Sequence, residues 1–157
     1  MNNGKITSLT EPPDKPKTKS EAREDFYADY NVSLAFYQKA LQCYHKQDLF
    51  IATFMMQQSV QFTCYALIKA FTGLKVKTEY IKDIIEHLQG YVPKIKNIFP
   101  CDTEKECILF WHLENADISP MYVTEFEITE EEALQLLNRI AELQRLAKEV
   151  FVTKFSF

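Results

Sequence analysis

Glycine is the scarcest structural resource in this chain, with only Gly4, Gly73 and Gly90 in 157 residues. An all-β sandwich or a doubly wound α/β protein needs many more at its turns, so long helices with few connections fit better. Three glycines also exclude the phosphate-cradling loops, and neither a G-x-x-x-x-G-K nor a G-x-G-x-x-G sequence occurs. G-x-S-x-G and H-E-x-x-H are missing as well, which removes the usual serine-hydrolase elbow and the helical zinc protease site. No run approaches the roughly 18 apolar residues that cross a bilayer, and the first residues hold no apolar secretory core. The expectation is a soluble, cytoplasmic protein with no membrane contact.

Broad positive charge is also lacking. Eighteen Lys and Arg stand against 22 Asp and Glu, for a net charge of −4, which gives no strong case for nonspecific nucleic-acid binding. The distribution is uneven, with four lysines against two carboxylates in residues 1–20. That segment, with Pro12, Pro13 and Pro16 and almost nothing to bury, reads as a flexible basic leader. Residues 21–157 then form one domain, since 46% apolar and 13% aromatic content is enough for a single core. Cys43, Cys64, Cys101 and Cys107 lie in no C-x-x-C arrangement, so buried free thiols are expected. Cys101, Cys107 and His112 match no zinc spacing; no metal and no cofactor is expected.

What is present is helical periodicity. Phe26, Tyr30, Leu34, Tyr37, Leu41 and Tyr44 recur at three- and four-residue steps, predicting a first helix from about Glu21 to Lys46. Lys46–Asp48 is a short turn, with Asp48 as the cap of a second helix from Leu49 to about Thr72. This second helix is apolar on nearly all sides and about 36 Å long, which places it at the centre of a bundle. Gly73 ends it.

Thr78 caps a predicted third helix, Glu79 to about Gln89, with Tyr80, Ile81, Ile84, Ile85 and Leu88 inward and Gly90 and Pro93 ending it. Tyr91 to Asp102 reads as a packed irregular loop. Thr103 and Glu106 have capping-box spacing for a fourth helix reaching about Asn115, with Cys107, Phe110 and Trp111 on its core face. A second capping box at Thr129 and Glu132 opens the last helix, where Leu134, Leu137, Ile140, Leu143 or Leu146, and Val150 form the apolar stripe. The fold expected is all-α: an up-and-down bundle of about five helices, with two long antiparallel helices at the core.

His45, His87 and His112 lack motif context and read as surface or half-buried helix residues. Gln57, Gln58 and Gln61 carry more information, because amides within an apolar helix must either bond across the bundle or line a cleft. Lys69 lies near the C-terminal end of the same helix, where a cation complements the dipole.

These residues carry a resemblance. The run Phe54-Met55-Met56-Gln57-Gln58-Ser59-Val60-Gln61, continuing to Leu67-Ile68-Lys69-Ala70, resembles the long central helix of HEPN domains. Leu113-Glu114-Asn115-Ala116-Asp117-Ile118-Ser119-Pro120-Met121-Tyr122, followed by Phe126-Glu127-Ile128-Thr129, is similar to the family segment that leads into a final capped helix. The resemblance covers about residues 24–152. It implies a helical bundle that commonly pairs as a homodimer, and in many members a ribonuclease, often a toxin neutralised by a nucleotidyltransferase partner. Active members carry an arginine followed after four to six residues by a histidine. Here the relevant positions hold Ala28, Asp29 and Tyr30 after Arg23, and Gln144, Arg145 and Leu146 after Arg139. After Arg145 they hold Val150, Phe151 and Val152. Met121 stands where the family has an arginine before its tyrosine, and Glu79 replaces the histidine that often opens the third helix.

Without a guanidinium and an imidazole the usual cleavage chemistry has no agent, so no catalytic residue is expected. The expectation is a non-catalytic, homodimeric binding module that engages a nucleotide or a nucleotidyltransferase-type protein. Gln57, Gln58, Lys69 and Tyr122 are its candidate ligand-binding residues. The alternatives are a ribonuclease with a non-standard site such as His87, Lys69 and Tyr122, or a purely structural adaptor.

Overall fold

Thr18 and Glu21 start the bundle through a reciprocal capping box. The Glu21 amide donates to Thr18 Oγ1 at 3.1 Å, and the Thr18 amide donates to the Glu21 carboxylate at 3.4 Å. Helix α1 therefore spans Lys19–His45, opening two residues before the expected start. The computed structural model describes residues 10–11, 18–76, 80–116 and 127–155. Most of the expected basic leader lies outside the described residues; within it, Thr10–Glu11 (β1) pairs antiparallel with Lys75–Val76 (β2).

At the end of α1, Gln47 takes a left-handed conformation (φ 63°) and Asp48 accepts from the Ile51 amide at 3.3 Å. The chain reverses and α2 runs Leu49–Thr72, the span the sequence predicts. Gly73, at φ 70°, closes it with an amide bond of 2.8 Å to the Lys69 carbonyl. α3 (Ile81–Leu88), a 3-10 turn (Pro93–Asn97), α4 (Glu104–Glu114) and α5 (Glu130–Phe155) complete the described elements. Among the described residues the protein is all-helical apart from the two-residue pairing. Three helices are long rather than two, since α5 at 26 residues matches α1 and α2 at 27 and 24.

α2 is central because it has no polar side to offer water: it packs on α1, α3, α4 and α5, burying Met56, Val60, Cys64, Leu67 and Ile68 completely. α5 lies across it through Leu136, Leu137, Ile140, Leu143, Ala147 and Phe151. Among the described residues, no helix is long and apolar enough to cross a membrane.

Several expected faces are shifted by one residue. On α1, Ser33 is fully buried while Leu34 remains 37% exposed, and on α5 Ala133 is buried in preference to Leu134. On α4 the core face is Leu109, His112 and Leu113; Trp111 is 52% exposed and Cys107 and Phe110 are only half-buried. The inward histidine is why the apolar pattern pointed to the wrong face. α3 is shorter than predicted and Tyr80 faces solvent; the proposed Thr78 cap lies outside the described residues. Gly90 follows α3 without a left-handed conformation, and part of the Tyr91–Asp102 stretch winds into the 3-10 turn that buries Ile95. The thiols also differ from expectation: Cys101 and Cys107 form a disulfide, leaving Cys64 buried and Cys43 half-buried as free thiols.

Candidate functional site

The glutamine step of α2 bonds across the bundle. Gln57 Nε2 donates to the carbonyls of Leu113 (3.2 Å) and Glu114 (3.0 Å), two of the acceptors left over where α4 ends. Lys69 Nζ forms an ion pair of 2.8 Å with Asp29 of α1, with both side chains largely covered. Gln58 is half-buried, and Tyr122 lies outside the described residues. Twelve residues separate Gln57 from Lys69, or about 18 Å along an ideal helix and about a third of a turn around it. The two therefore address different parts of the bundle. Gln58 and Lys69 share a helical face, about 16 Å apart.

The C-terminal end of α4 is a junction of three helices. While its carbonyls accept from Gln57, the Glu114 carboxylate accepts from the Lys82 amide at 3.2 and 3.3 Å, satisfying a free donor in the first turn of α3. Burial pushes the Glu114 carboxyl above its ordinary range, opposed by the Lys82 amide bond and reinforced by nearby Asp83.

Two residues earlier, His112 is buried and its Nε2 lies 3.8 Å from Glu132 Oε2. Glu132 is held by the predicted capping box. Its other oxygen accepts from the Thr129 amide at 3.0 Å, and its own amide donates to Thr129 Oγ1 at 3.0 Å. Glu132 also lines an open cleft of about 390 Å³, together with Leu49, Phe50, Glu127, Ile128 and Thr129, while His112 lies behind it. An imidazole beside a positioned carboxylate is able to hold and move a proton. Nothing in the sequence spacing of His112 and Glu132 signals the pair, because only the packing of α4 against α5 brings them together.

His87 is elsewhere, in edge contact with Tyr91 at a ring separation of 5.8 Å, and its Nε2 is buried with no hydrogen-bond partner among the described residues. Desolvation lowers its pKa from the ordinary 6.5. The unfolded chain therefore binds the proton more readily, so the neutral ring contributes stability above pH 6.5 that is lost as pH falls through the folded value. His87→Gln is expected to flatten the dependence of the urea midpoint on pH just below 6.5; an unchanged slope would exclude His87 as its source.

A polar node links the three long helices. Gln144 Nε2 donates to Ser33 Oγ (2.8 Å) and Ser59 Oγ (3.0 Å), Ser59 Oγ donates to the Ser33 carbonyl (2.9 Å), and Ser33 and Thr63 share a short hydroxyl contact. Tyr30 reaches in to donate to the Gln144 carbonyl at 3.0 Å. All four node residues are buried and mutually satisfied, so the node fixes helix register and is not open to a ligand.

Residues 30–150 match the HEPN domain family, a span that takes in all of α2, α3 and α4 and the greater part of α1 and α5. The chain belongs to the HEPN family. No curated protein matches it. None of its three arginines is followed after four to six residues by a histidine. Two of the arginines have partners within the bundle: Arg139 donates to the Ile98 carbonyl at 3.1 Å, and Arg23 lies over the Tyr27 ring. Arg145 lines a separate groove of about 350 Å³ with Lys94, Asn97, Glu142 and Glu149.

Proposed function

We propose that this HEPN domain is a non-catalytic binding module, homodimeric in solution, that engages a nucleotide or a protein partner of the nucleotidyltransferase type. The observation that carries the reading is the missing arginine–histidine pair. Phosphodiester cleavage develops charge on the phosphoryl oxygens and needs a proton acceptor for the 2′-hydroxyl. A family member that lacks the spaced pair retains the bundle and its surfaces. Gln57, Gln58, Lys69 and Tyr122 remain the proposed ligand contacts, Gln57 through its side-chain Oε1 because its Nε2 is bonded to the end of α4. HEPN domains commonly pair as homodimers, and half-exposed apolar positions on the outside of the bundle, such as Leu34, Leu134 and Val152, supply surface for a second copy.

The test combines three measurements on the full chain. Incubation with a fluorogenic oligoribonucleotide is expected to give no turnover above buffer, and sedimentation at micromolar concentration is expected to show a dimer. Titration calorimetry with ATP and GTP is expected to give heat that weakens in Lys69→Ala. Oligoribonucleotide cleavage would overturn the non-catalytic reading, a monomer would remove the dimer, and absence of heat would leave the protein partner as the target. The His112–Glu132 pair beside its cleft favours one second reading, a cleavage activity that uses a different base. In that case turnover disappears in His112→Ala, whereas a site built on His87, Lys69 and Tyr122 loses it in His87→Ala.

A further inference from the structure

The Cys101–Cys107 disulfide sits on the surface at the point where α4 begins. Cys101 is exposed and Cys107, in the first turn of α4, is half-buried, with their Cα atoms 4.7 Å apart. Between them in sequence lies the whole capping apparatus of the helix. The Glu106 carboxylate accepts from the amides of Asp102 (3.1 Å) and Thr103 (3.2 Å), and Thr103 Oγ1 accepts from the Glu106 amide (3.1 Å). The covalent ring therefore encloses a cap that is already formed by hydrogen bonds. Opening the ring removes a constraint on the first turn without removing what starts the helix, so the bond is separable from the fold.

The other two cysteines have different surroundings. Cys64 is fully buried in α2 and its thiol is pushed up to about 12, which leaves it without thiolate or access. Cys43 is half-buried against the core. Of the four sulfurs, that of Cys101 is the one on an exposed residue.

We propose that Cys101 and Cys107 are an exchangeable thiol–disulfide pair that reacts with small-molecule thiols and disulfides and sets the mobility of the first turn of α4. In the opening direction a thiolate of the small molecule attacks Cys101 Sγ, the bond to Cys107 breaks, and Cys107 leaves as a thiolate that takes a proton from water. A second thiolate attacks the mixed disulfide on its small-molecule sulfur, releasing Cys101 as a thiolate that takes a proton from water and the small molecule as its disulfide. Two thiols are oxidised for each protein disulfide reduced, and the closing reaction is the reverse. The readout lies on the same helix. Trp111, the only tryptophan, is one turn beyond Cys107, and with Ile108 it forms the exposed apolar side of α4. A change at the first turn thus reaches the apolar surface that α4 shows to solvent.

The experiment uses the full chain under native conditions, with dithiothreitol and then oxidised glutathione as the probes. After dithiothreitol, iodoacetamide is expected to add two groups more than it adds to the untreated chain, which peptide mapping places on Cys101 and Cys107, with Cys64 unmodified in both. Amide exchange should rise at residues 102–107 while the α2 amides stay protected, and Trp111 emission should change and return when oxidised glutathione closes the pair. Cys101→Ser, which cannot close, should hold the reduced emission and exchange pattern under both reagents. Three results would each overturn the proposal: alkylation of Cys101 and Cys107 without reductant, reduction that requires denaturant, or exchange at residues 102–107 that is equal in the two states.

Discussion

Phe151→Ala is expected to remove about 4 kcal/mol of folding stability, a large part of the 5–15 kcal/mol typical of a domain. Phe151 is fully buried near the C-terminal end of α5 and stacks on Phe26 of α1, with ring centres 4.0 Å apart and planes 4° from parallel. Tyr27 meets the same ring edge-on at 5.7 Å and Phe155 lies 4.8 Å away. Truncation removes the transfer free energy of the ring and leaves a cavity whose walls belong to two long, rigid helices and collapse poorly. The check is urea unfolding followed by circular dichroism. A loss of less than about 1 kcal/mol would mean that α5 does not dock on α1 in this way. In a double-mutant cycle with Phe26→Ala, the two losses should fall short of additive by about 1 kcal/mol, the coupling expected of a stacked aromatic pair.

The second large effect is at the polar node. Gln144→Leu keeps the bulk of the side chain but removes the amide that donates to Ser33 and Ser59, and is expected to destabilise the bundle by about 3 kcal/mol, because buried acceptors are then left unpaired. The informative comparison is the triple variant Gln144→Leu, Ser33→Ala, Ser59→Ala. Removing the acceptors together with the donor should bring the loss back to about 1 kcal/mol, since a matched apolar replacement of a hydrogen-bonded set is nearly neutral. A triple variant that loses as much as the sum of its parts would show that the node contributes through packing volume and not through polar pairing.

Helix existence and ends were legible wherever local chemistry determines them. Asp48 and Gly73 bracket α2, and the Thr103–Glu106 and Thr129–Glu132 boxes open α4 and α5, because a cap is a contact over three residues and its spacing is visible in the chain. Which side of a helix faces inward was legible only when apolar bulk decided it. On α1 the choice between Ser33 and Leu34 is made by Ser59, Thr63 and Gln144, residues distant in sequence that give a small hydroxyl a fully bonded interior position. On α4 the pull of Trp111 and Phe110 obscured an inward face that includes His112. Of the candidate contacts, the sequence correctly marked Gln57 as an amide needing a partner but left open whether that partner was a ligand. The structure supplies the end of α4. The His112–Glu132 pair depends on where α4 and α5 meet, which spacing alone does not encode, and the Cys101–Cys107 bond depends on how the turn before α4 folds back on its first turn.

The three-residue turn between α1 and α2 has a kinetic consequence. Bringing these two helices together closes almost no loop, so their pairing is opposed by little chain entropy, whereas α5 docks only after a much longer stretch of chain has been confined. The hairpin is the natural nucleus. Assembly should therefore begin at Lys46–Asp48 and finish with α5, and α5 should be the first long helix to detach when the protein opens.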